Sequence, residues 1–267
     1  MSTPNARLAV LIDADNTSPK HARALFDELA SYGVATVKRA YGDWTTPQLS
    51  GWKKELNQHA IAPKQQFAYT TGKNSTDSAL IIDAMDLLYT GNVDAFALVS
   101  SDSDFTGLAT RLRESGKTVY GIGLKKTPAS LVAAVDRFIY LEVLGDNDSQ
   151  SRPAEAGDTT DTGDPTSDEA PLPNLQSLLT RAINATSGDD GAVSVSALGN
   201  YLRSASASFD PRLYGKPKLS TLLQGEPYLT VTGSGSGMQV SLKSRAPATS
   251  APVKKASARK ATARKKA

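Results

Sequence analysis

From residue 7 to residue 142 the chain alternates short apolar runs with stretches in which apolar residues recur every three or four positions. Runs of the first kind read as buried strands and those of the second as amphipathic helices. Their regular alternation predicts an α/β fold built on a doubly wound parallel sheet. The strands fall at LAVLID (8–13), ATVKRAY (35–41), PKQQFAY (63–69), DAFALVS (94–100), KTVYGIG (117–123) and RFIYLE (137–142), with helices between them. Ser18 as N-cap and Pro19 at the first helical position mark the first helix, whose apolar face is Ala22, Leu25, Phe26 and Leu29. Another helix runs from about Ser75 to Leu88, and a third starts near Phe105.

The pattern stops at Gly145. Residues 145–171 are mostly Asp, Thr, Gly, Pro and Ser, a composition that cannot offset the entropy of ordering, so this stretch is expected to be a disordered linker. Periodicity returns over 172–242 as a second, smaller domain of helical segments followed by YLTVT and MQVSL around GSGSG, which predicts a hairpin. Residues 243–267 are low in complexity and are assigned no fold.

Charge follows the same boundaries. Residues 1–144 hold 15 basic and 15 acidic side chains, residues 145–171 hold eight acids against Arg152 alone, and residues 243–267 hold nine cations and no acid. A tail of that kind attracts nucleic-acid backbones, with binding that falls steeply as salt rises. A length of 267 residues suits one full α/β domain plus a smaller module. The chain has no cysteine, which removes disulfides, thiolate zinc sites and a cysteine nucleophile together, and its two histidines are too few for a histidine-based metal site. No stretch is apolar over the roughly 18 residues or more of a membrane span, and the beginning MSTPNARLAV has no basic region followed by an apolar one, so a soluble, cytoplasmic protein is expected.

Candidate chemistry concentrates in four acids. Asp13 ends the first strand, and Asp102 and Asp104 follow directly on the fourth in ALVSSDSDF. In an open parallel sheet ligands sit beyond the carboxyl ends of strands where the strand order reverses, and a reversal between strands one and four would bring Asp13 and Asp102 face to face. Asp77 joins them because positions 77, 80, 81, 84 and 88 share a helix face and read Asp, Leu, Ile, Ala and Leu. A carboxylate on such a face must be paired, capped or metal-bound. Asp83 and Asp86 fall roughly opposite, where solvent is expected. Clustered carboxylates repel, and an all-oxygen set suits Mg²⁺ or Mn²⁺, which can activate water for phosphodiester hydrolysis. The bland alternative has Asp15 and Asp77 capping helices and Asp102 to Asp104 forming a turn.

With LIDADN at 11–16, KNSTDSALIIDAMDLL at 73–88 and SSDSDFTGL at 100–108 in this order and spacing, residues 5–144 resemble the NYN domain, a PIN-like ribonuclease fold. The resemblance implies a metal-dependent nuclease whose ligand and catalytic carboxylates are Asp13, Asp77, Asp102 and Asp104. Asn16 would support them, and Asp83 is a lesser candidate, set against its position on the helix. The last motif of the family begins Ser-Gly-Asp, whereas Ser101 stands here in place of the glycine. Lys73, ahead of the helix bearing Asp77, is a candidate contact to a scissile phosphate, and Tyr41 and Trp44 are candidates for stacking on unpaired bases. LQSLLTRAI (175–183), GAVSVSALGNYLR (191–203) and FDPRLYGKPKLSTLL (209–223) make residues 172–242 similar to the LOTUS domain, also called OST-HTH, a winged helix associated with RNA or protein partners. Arg212, Lys216 and Lys218 are its candidate phosphate contacts, although five basic residues against four acidic ones give this domain a modest electrostatic footprint.

The reading is a metal-dependent ribonuclease, cutting internally, with a C-terminal module for single-stranded or structured RNA. Asp13 and Asp102 would anchor the metal, Asp77 and Asp104 would complete the site and orient the attacking water, and no residue stands out as a covalent nucleophile. Two alternatives stay open. One is a non-catalytic RNA-binding adaptor. The other is a phosphatase of the haloacid-dehalogenase type, whose first motif LAVLIDADNT fits, with Asp13 as nucleophile and Asp15 as acid and base; beyond GKTVYGIG, only Lys125, Lys126 and a lone Asp136 answer its later motifs.

Overall fold

The computed structural model describes residues 6–67, 75–144, 173–188 and 191–243. In the first domain β1 (Arg7–Asp13), β2 (Val34–Gly42), β3 (Ala62–Gln65), β4 (Ala95–Val99), β5 (Thr118–Gly123) and β6 (Arg137–Tyr140) form one parallel sheet in the order β3-β2-β1-β4-β5-β6. The α/β expectation holds, and so does the reversal between β1 and β4. Parallel strands covered on both faces must be apolar nearly throughout, and LAVLI in β1 and AFALV in β4 are buried residue by residue. Between the strands run α1 (Ala22–Leu29), α2 (Trp52–His59), α3 (Ser75–Thr90), α4 (Thr106–Glu114) and α5 (Ala129–Ala134).

Several boundaries differ from the sequence reading. Ser18 has the extended backbone of an N-cap, but its hydroxyl caps nothing, and Pro19–His21 make a 3-10 turn before α1 begins. The third strand pairs only over Ala62–Gln65, and the sixth run turns into a 3-10 segment at Leu141–Val143. Among the described residues no helix is long and apolar enough to cross a membrane.

The second domain has its own core, in which Leu179, Leu198, Leu202 and Leu223 are fully covered. Helices α6 (Leu175–Thr186), α7 (Val195–Ala205) and α8 (Leu219–Gly225) pack with a three-stranded antiparallel sheet in the order β7-β9-β8, made of β7 (Ala192–Ser194), β8 (Leu229–Thr232) and β9 (Gln239–Leu242). The side chains of Asn174 and Ser194 accept the amides of Ser177 and Ala197, capping α6 and α7. The hairpin forms as expected. The strand β7, hidden in GAVSVSALG, pairs Val193 with Val240 of β9 and was not foreseen.

The two domains touch through specific groups. The Phe138 amide of edge strand β6 donates to the Ala207 carbonyl at 2.8 Å, so part of the exposed edge is occupied by the second domain. The Arg212 guanidinium forks onto Glu28 of α1 at 2.8 and 3.1 Å and onto Asp210 at 2.7 Å. Glu28 also accepts from the Tyr32 hydroxyl at 2.9 Å, and the guanidinium of Arg137 lies over the Tyr32 ring. The linker (145–171) and all of the tail (243–267) beyond Lys243 lie outside the described residues.

Candidate metal centre

The topology delivers the acids to one place. Asp13 is the last residue of β1, paired in register with Tyr41 of β2, while Ile12 pairs with Val99 at the end of β4. The chain leaving β4 therefore carries Asp102 and Asp104 to the same sheet end, at the point where strand order reverses. α3 starts there with Asp77 in its first turn, and Asp77, Leu80, Ala84, Leu87 and Leu88 are its buried side chains.

Among the described residues, Asp77, Asp102 and Asp104 each place a carboxylate oxygen within 4.8 Å of the other two. Asp77 is buried, Asp102 half-buried and Asp104 exposed. The Asp77 carboxyl is pushed up from 3.8 to about 6, first by burial and then by the charges of Asp13, Asp102, Asp104 and Asp15. Asp102 accepts the Asp104 amide at 2.9 Å, which caps the 3-10 turn at Ser103–Phe105 and fixes the loop.

The Asp13 carboxylate, at the end of β1, is not one of this trio, although its charge acts on Asp77. Its Oδ2 accepts from the Asn16 side chain at 3.0 Å and from the Ser100 hydroxyl at 2.9 Å, and its Oδ1 accepts from the Asn16 amide at 3.3 Å. Burial raises its affinity for a proton, and these hydrogen bonds pull in the opposite direction. Asn16 thus holds the Asp13 carboxylate through both its main-chain and its side-chain N–H groups. Ser100, which sequence reasoning missed, acts twice: its buried hydroxyl donates to Asp13 and accepts the Asp102 amide at 3.1 Å. Thr76 was also missed, and donates to Asp15 at 2.8 Å, tying the loop after β1 to the start of α3. A serine closing an apolar strand and a threonine opening a helix read as ordinary boundary residues, so only their partners reveal them.

The remaining candidates are distributed differently. The Ser101 hydroxyl accepts the Leu124 amide at 2.8 Å, bracing the loop against the end of β5. Gly123 is what lets β5 come so close: a Cβ there would stand 2.9 Å from that hydroxyl and 2.7 Å from the Ser100 carbonyl. Asp83 is neither solvated nor gathered with the trio, because Arg39 and the Tyr41 hydroxyl reach across from β2 and both donate to it. Tyr41 is consequently buried, so its ring is closed to base stacking. Trp44 packs under its loop, half-buried, with its indole N–H on the Lys64 carbonyl at 3.0 Å. Arg212 is committed to Glu28 and Asp210 and is not a free phosphate contact, whereas Lys216 and Lys218 are exposed. Lys73 lies outside the described residues.

Three carboxylates held this close, one of them buried and reluctant to ionise, make an all-oxygen set that a hard divalent cation would relieve as protonation does.

The family profile described as the NYN domain matches residues 7–142, and that of the OST-HTH/LOTUS domain matches residues 169–241. The uncharacterized protein MJ0482 of Methanocaldococcus jannaschii is 28% identical over 127 residues, covering 44% of this chain and 47% of that protein; the match thus spans about half of this relative's length. Among solved structures, a protein of unknown function from Vibrio parahaemolyticus, VPA0982, is similar at 19% identity and a TM-score of 0.44, covering 52% of this chain and 95% of that one. The MurG structure of Acinetobacter baumannii is more remote, at 13% identity and a TM-score of 0.35 over 82% of this chain and 69% of that one.

Proposed function

The chain belongs to the NYN domain family and carries an OST-HTH/LOTUS domain beside it, and from that premise we propose that it is a divalent-metal-dependent ribonuclease that hydrolyses internal phosphodiester bonds of RNA held by the second domain. NYN domains are PIN-like nuclease domains and OST-HTH/LOTUS domains bind RNA, which points to a ribonuclease with an RNA-binding module. The observation that carries the finer reading is the approach of Asp77, Asp102 and Asp104 to within 4.8 Å at the carboxyl end of the sheet.

Asp77, Asp102 and Asp104 would hold Mg²⁺ or Mn²⁺, with Asp13 adding a fourth negative charge from β1. A bound ion of this kind supplies Lewis acidity toward a phosphoryl oxygen and a more acidic water. The chain's own part is to position. Asn16 and Ser100 fix the Asp13 carboxylate, Ser100 and the Asp102 cap fix the loop, and burial of Asp77 excludes water from one wall. Asp104, the exposed member of the trio, would accept a hydrogen bond from an attacking water. Lys216, Lys218 and the basic residues of 243–267 are the proposed contacts to RNA phosphates, the tail adding affinity without sequence preference.

A covalently closed RNA circle tests both halves of the proposal. Internal cutting opens the circle in Mg²⁺ or Mn²⁺ and leaves it closed in EDTA. A circle that stays closed while linear RNA shortens from one end would replace the internal cutter with an exonuclease.

A further inference from the structure

Where the second domain docks, it closes a cleft of about 940 Å³ against the nuclease domain. The cleft is far from the acids in topological terms: Arg137, on its wall, is the first residue of β6, whereas Asp13 and Asp102 stand at or beyond the last residues of β1 and β4. Ligand sites favour domain interfaces, and this volume lies within the range of roughly 300–1,000 Å³ found for small-molecule sites.

Three guanidinium groups from three elements line the cleft: Arg113 of α4, Arg137 of β6 and Arg203 of α7. One carboxylate, Asp136, lines it with them. Two of the arginines are held by one edge. Arg113 gives its Nε to Asp136 at 3.0 Å and one Nη to the Ala134 carbonyl at 3.3 Å, and Arg137 turns one Nη toward Asp210 at 3.7 Å. Arg203 is steadied by the Asn200 side-chain oxygen at 2.7 Å, and among the described residues no carboxylate lies within ion-pair distance of it. A guanidinium carries five N–H donors, so each of these anchored groups keeps donors for a second partner. Planar forks of this kind match phosphate oxygens. The Tyr32 ring at the cleft is buried and already covered by Arg137, so the site offers phosphate recognition and not an open platform for a base.

We propose that this cleft is a second, non-catalytic site for a phosphate ester, gripped by Arg203 from one domain and by Arg113 and Arg137 from the other. The ester is either that of a free nucleotide or a phosphate within an RNA strand. A ligand held from both sides also favours the docked arrangement of the domains.

The test is a calorimetric titration of the full chain in EDTA, where cleavage and metal binding at the acids are silent, with 5′-AMP and with the dinucleotide pUpU as separate probes. Arg203 is exposed on α7, so Arg203→Ala leaves the fold intact, as a thermal melt would verify. Saturable binding is expected, weakened about tenfold or more by Arg203→Ala and by Arg113→Ala, and less by Arg203→Lys. Binding of AMP identifies the free nucleotide as ligand, and binding of pUpU without AMP identifies the strand. The proposal is overturned if neither probe saturates the wild-type protein, or if both alanine variants bind within twofold of it. Either result leaves the nuclease reading untouched, because no divalent ion takes part.

Discussion

Asp77 is the residue on which the chemistry and the stability of the protein meet. Its carboxyl titrates near 6 in the folded chain against an ordinary value of 3.8, so the folded state binds its proton more tightly than the unfolded state. Folding is therefore unpenalised by this group below about pH 4 and carries the full cost of ionising it above about pH 6. In EDTA, the wild type should lose stability relative to Asp77→Asn as pH rises through that window, and saturating Mg²⁺ should reverse the loss. Thermal melts of both proteins at pH 4.5 and 7.5 would show it, and parallel pH dependences would refute it. Ser100 makes a sharper positional claim. Ser100→Ala removes a donor to Asp13 and an acceptor for the Asp102 amide, and should lower metal-dependent cleavage by about 10- to 100-fold while the protein stays folded; unchanged activity would mean the hydroxyl is only structural. The acids were legible from sequence because each follows or opens an apolar element whose direction is known. The fates of Asp83 and Tyr41 were not, because a helix projection places Asp83 relative to its own helix and says nothing of Arg39 and Tyr41 arriving from β2.

At the scale of elements, α3 connects packing to function. Leu80 is fully buried one turn after Asp77 on the face that packs toward β1 and β2. Leu80→Ala should cost about 2–5 kcal/mol of stability, read from a urea midpoint. Activity should fall only where the helix loosens, so a stable variant with normal cleavage would separate the packing of α3 from the placement of Asp77. The strands were legible because β1, β4 and β5 are continuous apolar runs that only a doubly covered parallel sheet can use. α2 and α5 were not individually foreseen. The first is eight residues with Trp52 as its buried anchor, and the second is a six-residue, alanine-rich turn, so neither displays enough periods to stand out. Likewise β7 has three residues and becomes a strand only because β9 offers its edge.

At the scale of the molecule, the two domains are docked through Glu28, Arg212, Asp210 and Arg137, a contact that composition could not reveal because its partners lie 184 residues apart. Glu28→Lys sets a cation against Arg212 and should weaken docking by about 1–3 kcal/mol. Small-angle scattering should then report a more extended particle, while metal-dependent cleavage of a short RNA persists; an unchanged scattering profile would remove the ion pair from the docking account. The central claim, that the gathered acids cut RNA, is tested most directly by incubating end-labelled single-stranded RNA with the purified protein in Mg²⁺ or Mn²⁺, beside Asp102→Asn and an EDTA control. Cleavage that requires the ion and falls at least about 100-fold in the variant is the predicted result. If the wild type and Asp102→Asn were equally inert while both still bound RNA, the chain would be an RNA-binding adaptor built on a nuclease fold.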